Sequence, residues 1–148
     1  MRFRYTSCVV NRSAVFPKGI LYRPEIPVQV AGKHGTRFVS AIVDTGADMT
    51  IFPRSIAAEL GVEFSTETNV SGIMGPVKKM ALGQVDLQIV GRALVYRWQT
   101  TAGFLFFESP DDEVAVLGHA GFLNYFTVKF DPVAKALELK LARALPSN

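Results

Sequence analysis

The feature that most constrains this chain is an almost unbroken apolar run, Phe38-Val39-Ser40-Ala41-Ile42-Val43, that ends on an acid, Asp44. Such a run predicts a strand buried on both faces. A carboxylate delivered by a strand of that kind is costly unless it has partners or a use. Thr45 places a hydroxyl beside it, and Gly46 lets backbone or ligand come close where a side chain would clash. Taken alone, these three residues suit an ordinary turn after a strand equally well.

The rest of the chain reads mostly as β-structure. Residues 25–30 form an edge strand or the approach to one, with Pro27 barred from a central position. A turn at 31–35 leads into the run at 36–43. Pro53 and Gly61 bracket a short helix whose Ile56 and Leu60 share a face. Residues 69–80 carry Gly72, Gly75 and Pro76 and read as a hairpin with a mobile tip. Strands are expected at 81–90, 93–99, 103–108 and 114–117, with an acidic loop at 109–113. Phe122, Leu123 and Phe126 fall at helical spacing. A terminal hairpin follows, with Phe126, Val128 and Phe130 on one strand, Leu137, Leu139 and Leu141 on the other, and Asp131-Pro132 turning between them. The fold class is therefore all-β with one or two short helices.

At 148 residues, 49% hydrophobic and 20% charged, the chain suits one packed domain. Cys8 is its single cysteine, so no internal disulfide can form, and a reducing compartment is the simpler expectation. No stretch reaches the length of a signal peptide's apolar region or of a membrane span, and the expected location is the cytoplasm, with no membrane partner. The net charge is +3, but the basic residues are dispersed. Only Lys78 and Lys79 are adjacent, so nucleic acid is not an expected partner. His34 sits in a turn, and no His, Cys and acidic residues share ligand spacing, so no metal is expected. Cys8 has no identifiable base, and no serine lies in a nucleophile elbow.

Context then changes the reading of Asp44. The segment Ala41-Ile42-Val43-Asp44-Thr45-Gly46-Ala47-Asp48-Met49-Thr50-Ile51-Phe52 resembles the active-site signature of the retropepsins, single-domain relatives of the pepsin-type aspartic proteases. Further on, Ala115-Val116-Leu117-Gly118-His119-Ala120-Gly121-Phe122-Leu123 is similar to that family's apolar-apolar-glycine strand and the short helix after it. Between them, Val70-Ser71-Gly72-Ile73-Met74-Gly75 resembles its glycine-rich flap. The three motifs stand in the family's order and span roughly residues 25 to 141.

The resemblance implies a closed β-barrel or sandwich with a flap hairpin. It makes Asp44 the catalytic carboxylate. Thr45 would lock two subunits' loops across a dimer axis, and Gly46 would present backbone to substrate. Ala47, Asp48 and Val116 would meet the peptide from below, and Gly72, Ile73, Met74 and Gly75 from the flap. It also implies a homodimer, because this chemistry needs two carboxylates sharing a proton and the chain holds one Asp-Thr-Gly. No cofactor is implied. The expected product of the fold is an aspartic endopeptidase; the alternative is a non-catalytic dimerisation or peptide-binding module on the same scaffold.

Two departures accompany the resemblance. Retroviral members usually carry an arginine after the Leu-Gly, pairing with the second aspartate of the signature. Here the position is His119, either a protonation-dependent partner of Asp48 or an exposed histidine at a helix start. Residues 1–22 precede the family core at 23–143, and 144–148 form a tail. The N-terminal extension can add strands, cover the core or make dimer contacts.

Overall fold

The structure, a computed structural model, describes residues 1–70 and 78–146. Its centre is a closed ring of six strands. These are β4 (Glu25–Gly32), β5 (Gly35–Val43), β6 (Ile51–Pro53), β8 (Lys78–Val90), β9 (Val95–Leu105) and β10 (Ala115–Leu117). Around the ring the order is β4-β5-β10-β6-β9-β8, and pairing of Gln29–Ala31 with Asp86–Gln88 closes it. β7 (Phe64–Val70) lies on the outer edge of β8. The all-β expectation and the closed barrel are both met.

Local sequence explains the ring. On β4, Ile26, Val28 and Val30 alternate inward, and on β8 so do Val85, Leu87 and Ile89. Period-2 alternation places these residues on one face of each strand. Phe52, Phe104 and Leu117 complete the interior. Each fully buried side chain of this kind contributes roughly 1.5–3 kcal/mol of transfer free energy. Pro27 lies opposite Ser40 of β5 but outside the register with β8, where its missing N–H costs no ladder bond.

Helix α1 (Arg54–Leu60) follows Pro53 and stops at Gly61, whose φ of 65° is the left-handed conformation that caps a helix. Ile56, Ala57 and Leu60 are its buried face. A second sheet joins the chain's two ends. β1 (Arg2–Arg4) pairs with β12 (Ala136–Leu141), which pairs with β11 (Phe126–Asp131). Leu137, Leu139 and Phe126 carry this sheet into the same core, with Phe3 packed against it. Residues 6–23 form a separate hairpin of β2 (Thr6–Val9) and β3 (Ile20–Arg23).

Three local expectations are corrected. The strand β5 is not buried on both faces. Val39, Ala41 and Val43 turn inward, whereas Phe38 is 61% exposed and Ser40 is also exposed, because the barrel interior lies on one side only. The segments at 93–99 and 103–108 are not separate strands but one strand, β9, paired with β8 from Met80–Leu105 to Val90–Val95. The helical spacing at 122–126 yields turns rather than a helix. Gly121 has φ 92°, and the N–H groups of Leu123 and Asn124 reach back five residues to Gly118 and His119. Phe122 and Phe126 instead stack on each other and on Trp98, whose indole N–H donates to the Gly121 carbonyl at 2.8 Å.

Candidate active site

β5 and β10 run parallel and side by side, with Ala41, Ile42 and Val43 in register with Ala115, Val116 and Leu117. Both chains leave the barrel at the same end. There the two motifs that sequence comparison separates by some seventy residues meet. The Asp44 N–H donates to the Leu117 carbonyl at 3.1 Å, continuing the ladder by one residue.

Beyond that point the chain turns back on itself. The Gly46 N–H donates to Asp44 Oδ1 at 2.8 Å, and the Ala47 N–H reaches the Asp44 carbonyl at 3.3 Å. This side-chain-to-backbone turn is what short aspartates do at strand ends. It fixes the carboxylate through one oxygen. The other has no hydrogen-bond partner among the described residues. Asp44, Thr45, Gly46 and Asp48 are exposed in the single chain, and Ala47 is half-buried.

The second motif clamps this loop by main-chain bonds. His119 N–H donates to the Ala47 carbonyl at 2.9 Å, and Ala120 N–H to the Asp48 carbonyl at 2.8 Å. Thr50 N–H returns a bond to the Ala120 carbonyl at 2.8 Å, and Met49 and Ala120 form a short parallel bridge. Gly118 makes the crossing possible. A Cβ there would collide with the carbonyl oxygens of Met49 and Ala47, so the closeness of the two backbones, rather than an unusual φ, demands glycine.

The side chain of His119 is exposed and turns to the main chain. Its Nε2 lies 3.0 Å from the Thr45 carbonyl oxygen. Because a carbonyl only accepts, Nε2 is the donor. The Asp48 carboxylate forms no ion pair with it. Among the described residues the ion pairs are Lys33–Glu63 and Arg37–Glu59, both remote from this loop. His119 thus steadies the loop at Thr45 rather than at Asp48.

Val116 is half-buried between Ile42 of β5 and Ile51 of β6, directly under the loop. The segment assigned to the flap, Gly72, Ile73, Met74 and Gly75, lies outside the described residues. The strands on either side of it, β7 and β8, pair up to Val70 and Lys78. Two elements of the site had escaped the sequence reading. The Leu117 carbonyl and the Ala120 backbone take part through main-chain groups, which every residue possesses. Only Gly118, embedded between Leu117 and His119, hinted at a close crossing. Among the described residues, no three His, Cys, Asp or Glu side chains gather as a metal site requires, and no helix is long and apolar enough to cross a membrane.

Comparison with known proteins bears on the same segment. No curated protein sequence matches the chain. Among solved structures, it is similar to a retropepsin-like aspartic protease from Rickettsia conorii at 12% identity. That alignment covers 91% of this chain and 90% of the other, with a TM-score of 0.49. It is also similar to EIAV protease complexed with the inhibitor HBY-793 at 18% identity, covering 66% of this chain and 82% of the other, with a TM-score of 0.37. The family model described as aspartyl protease matches residues 26–104, more than half of the chain and all of the loop around Asp44, and the chain accordingly belongs to the aspartyl protease family.

Proposed function

We propose that the protein is an aspartic endopeptidase that works as a homodimer, with one Asp44 from each subunit forming a single catalytic pair. The observation that carries this reading is the state of Asp44. It sits at the open end of the barrel, exposed, oriented through Oδ1 by the Gly46 N–H, with its second oxygen unengaged among the described residues.

A lone carboxylate cannot perform this hydrolysis. Two held about 3 Å apart cannot both ionise comfortably, so they share a proton. The ionised member takes a proton from a water as that water attacks the scissile carbonyl carbon. The protonated member hydrogen-bonds to the carbonyl oxygen and stabilises the charge developing there. Beyond the loop that holds Asp44 and Asp48, the chain's remaining aspartates offer no second member. Asp86 lies within β8, Asp111 and Asp112 in a single 3-10 turn, and Asp131 is capped by the N–H groups of Val133 and Ala134. A two-fold axis beside Asp44 supplies the missing group, and two-fold pairs are the commonest closed assembly.

In this reading Thr45 links the two loops across the axis, and Gly46 and Ala47 face the substrate backbone. Asp48 meets the peptide main chain, Val116 lies in the floor, and Gly72, Ile73, Met74 and Gly75 close from above. The substrate is an extended peptide held between floor and flap, with apolar side chains favoured around the cut by Ile73 and Met74.

The test is a diverse peptide mixture incubated with the protein and with Asp44→Asn from acidic to neutral pH, read by mass spectrometry. Cleavage by the wild-type chain that falls by at least about a thousandfold in the variant is expected, as for loss of an essential acid-base group. A sample confirmed dimeric that cuts nothing at any pH would instead leave a peptide-binding or dimerisation module.

A further inference from the structure

Among the described residues, the hairpin of β2 and β3 joins no other strand and lies outside the hydrophobic core. Its strands pair with each other, Thr6 with Arg23 through Val9 with Ile20, and with nothing else. The connecting loop is closed by its own bonds, Val10 N–H to Gly19 carbonyl at 3.0 Å and Gly19 N–H to Phe16 carbonyl at 2.9 Å. No residue between Thr6 and Arg23 belongs to the hydrophobic core or packs against it. Yet the hairpin is not polar. Val9 is 93% exposed and Val15 76%, and Ile20 and Tyr22 are exposed as well. An isolated two-stranded hairpin is at best marginally stable in water, and clustered exposed apolar groups signal a binding surface.

Its root says what covers it. The chain enters the hairpin beside the β11–β12 turn, where Tyr5 N–H donates to the Lys135 carbonyl at 2.8 Å and the Lys135 ammonium stands 5.4 Å from the Tyr22 ring. It leaves at Pro24, whose carbonyl accepts the Val43 N–H at 2.9 Å. Val43 is the residue before Asp44. Any dimer that brings two Asp44 carboxylates within a shared proton passes its axis within a few ångströms of that point. At about 3.3 Å per residue the four residues of β3 alone extend roughly 13 Å, enough to carry the hairpin from a root beside Val43 past such an axis.

We infer that residues 6–23 form an arm that packs on the partner subunit beside the catalytic pair, burying Val9, Val15, Ile20 and Tyr22 against a second copy of this chain. This rests on the dimeric reading above and adds to it a contact made by the N-terminal extension.

Two measurements on the full chain test it. Amide hydrogen exchange of the wild-type protein is compared at concentrations where sedimentation shows monomer and dimer. The amides of β2 and β3 should gain at least about tenfold protection in the dimer. Separately, Val9→Ser with Val15→Ser should raise the dimer dissociation constant by at least about tenfold, while cleavage per dimer recovers at high protein concentration. Protection that is the same in monomer and dimer would mean the hairpin folds on its own chain or stays bare, and would overturn the arm. So would an unchanged dissociation constant in the variant. A wild-type chain that stays monomeric at every concentration would overturn the dimeric reading itself, a result distinct from either.

Discussion

The two ends of the barrel are held together by different kinds of bond. At the end where β5 delivers Asp44, the loop 44–50 is tied to 117–120 almost wholly through main-chain groups: Leu117 carbonyl, His119 N–H, Ala120 N–H and carbonyl. The one side-chain link, from His119, also ends on a main-chain carbonyl. At the far end the β4–β5 hairpin is tied to α1 and the residues after it by His34 N–H to the Leu60 carbonyl at 3.0 Å, and by the charged pairs Arg37–Glu59 and Lys33–Glu63. Charged side chains do structural work at one end and are kept out of it at the other. A catalytic carboxylate held in an ion pair would be fixed in its ionised form. Bracing by backbone leaves the Asp44 and Asp48 side chains out of ion pairs among the described residues, as the proposed catalytic pair requires of Asp44.

A matched pair of glycines exposes the difference most strongly. Each end has one position where two backbones cross too closely for a side chain. At Gly118 an added Cβ strikes the Met49 and Ala47 carbonyls, and at Gly32 it strikes the Leu60 carbonyl. Either glycine replaced by alanine should cost about 1–3 kcal/mol, the range for overpacking a tight contact, read as a lower melting temperature. Gly118→Ala should also remove most cleavage per folded molecule, because the strain falls on the loop that aims Asp44. Gly32→Ala should leave cleavage per folded molecule unchanged. Equal loss of activity in both would show that the two ends are not mechanically separate.

The ends also differed in how far the sequence revealed them. The far end was legible because its rules are local. Pro53 and Gly61 bracket α1, and the turn at 31–35 carries its own glycines. The alternation of Val85, Leu87 and Ile89 marks β8 with no knowledge of its neighbours. At the Asp44 end the aspartate, the glycines and the family motifs were readable, but their linkage was not. A bond such as Ala120 N–H to Asp48 carbonyl has no residue signature. For His119 the sequence left two readings open, a partner for Asp48 or an exposed ring, because a bond to the Thr45 carbonyl has no residue signature either. The helical spacing of Phe122, Leu123 and Phe126 was equally misleading. That spacing serves stacking on Trp98, and Gly121 at φ 92° directs the chain out of a helix. Nor does a sequence state which face of a strand the barrel leaves bare, so Phe38 counted as core although it is exposed.

The His119 link makes the next prediction. A neutral imidazole carrying its proton on Nε2 and a charged imidazolium both donate to the Thr45 carbonyl. The bond therefore calls for an N–H donor at this position rather than for a charge. His119→Ala should cost about 0.5–1.5 kcal/mol, the net worth of one hydrogen bond, and His119→Gln should recover part of it through its amide donor. Melting temperatures of His119→Gln and His119→Leu decide it: glutamine alone should recover stability, and equal losses in the two would show that the ring contributes packing rather than a donor to the Thr45 carbonyl.

The smallest effect belongs to the far end. The Glu63 carboxyl is held below its ordinary range, first by the hydrogen bond from Lys33 and then by the charge of that ammonium. A carboxylate whose folded pKa is depressed adds stability above its unfolded pKa, and that stability disappears as pH falls through the folded value. Both side chains are largely exposed, so solvent and salt screen the pair. Lys33→Ala should therefore lower the melting temperature less than any substitution above, and only near neutral pH at low salt. The difference should close under strong salt and on acidification below the carboxylate range. A deficit that persists under both conditions would mean that the lysine stem packs against the Gly61–Glu63 turn. The far end would then owe its hold to burial rather than charge, and the contrast with the Asp44 end would narrow to the carboxylates alone.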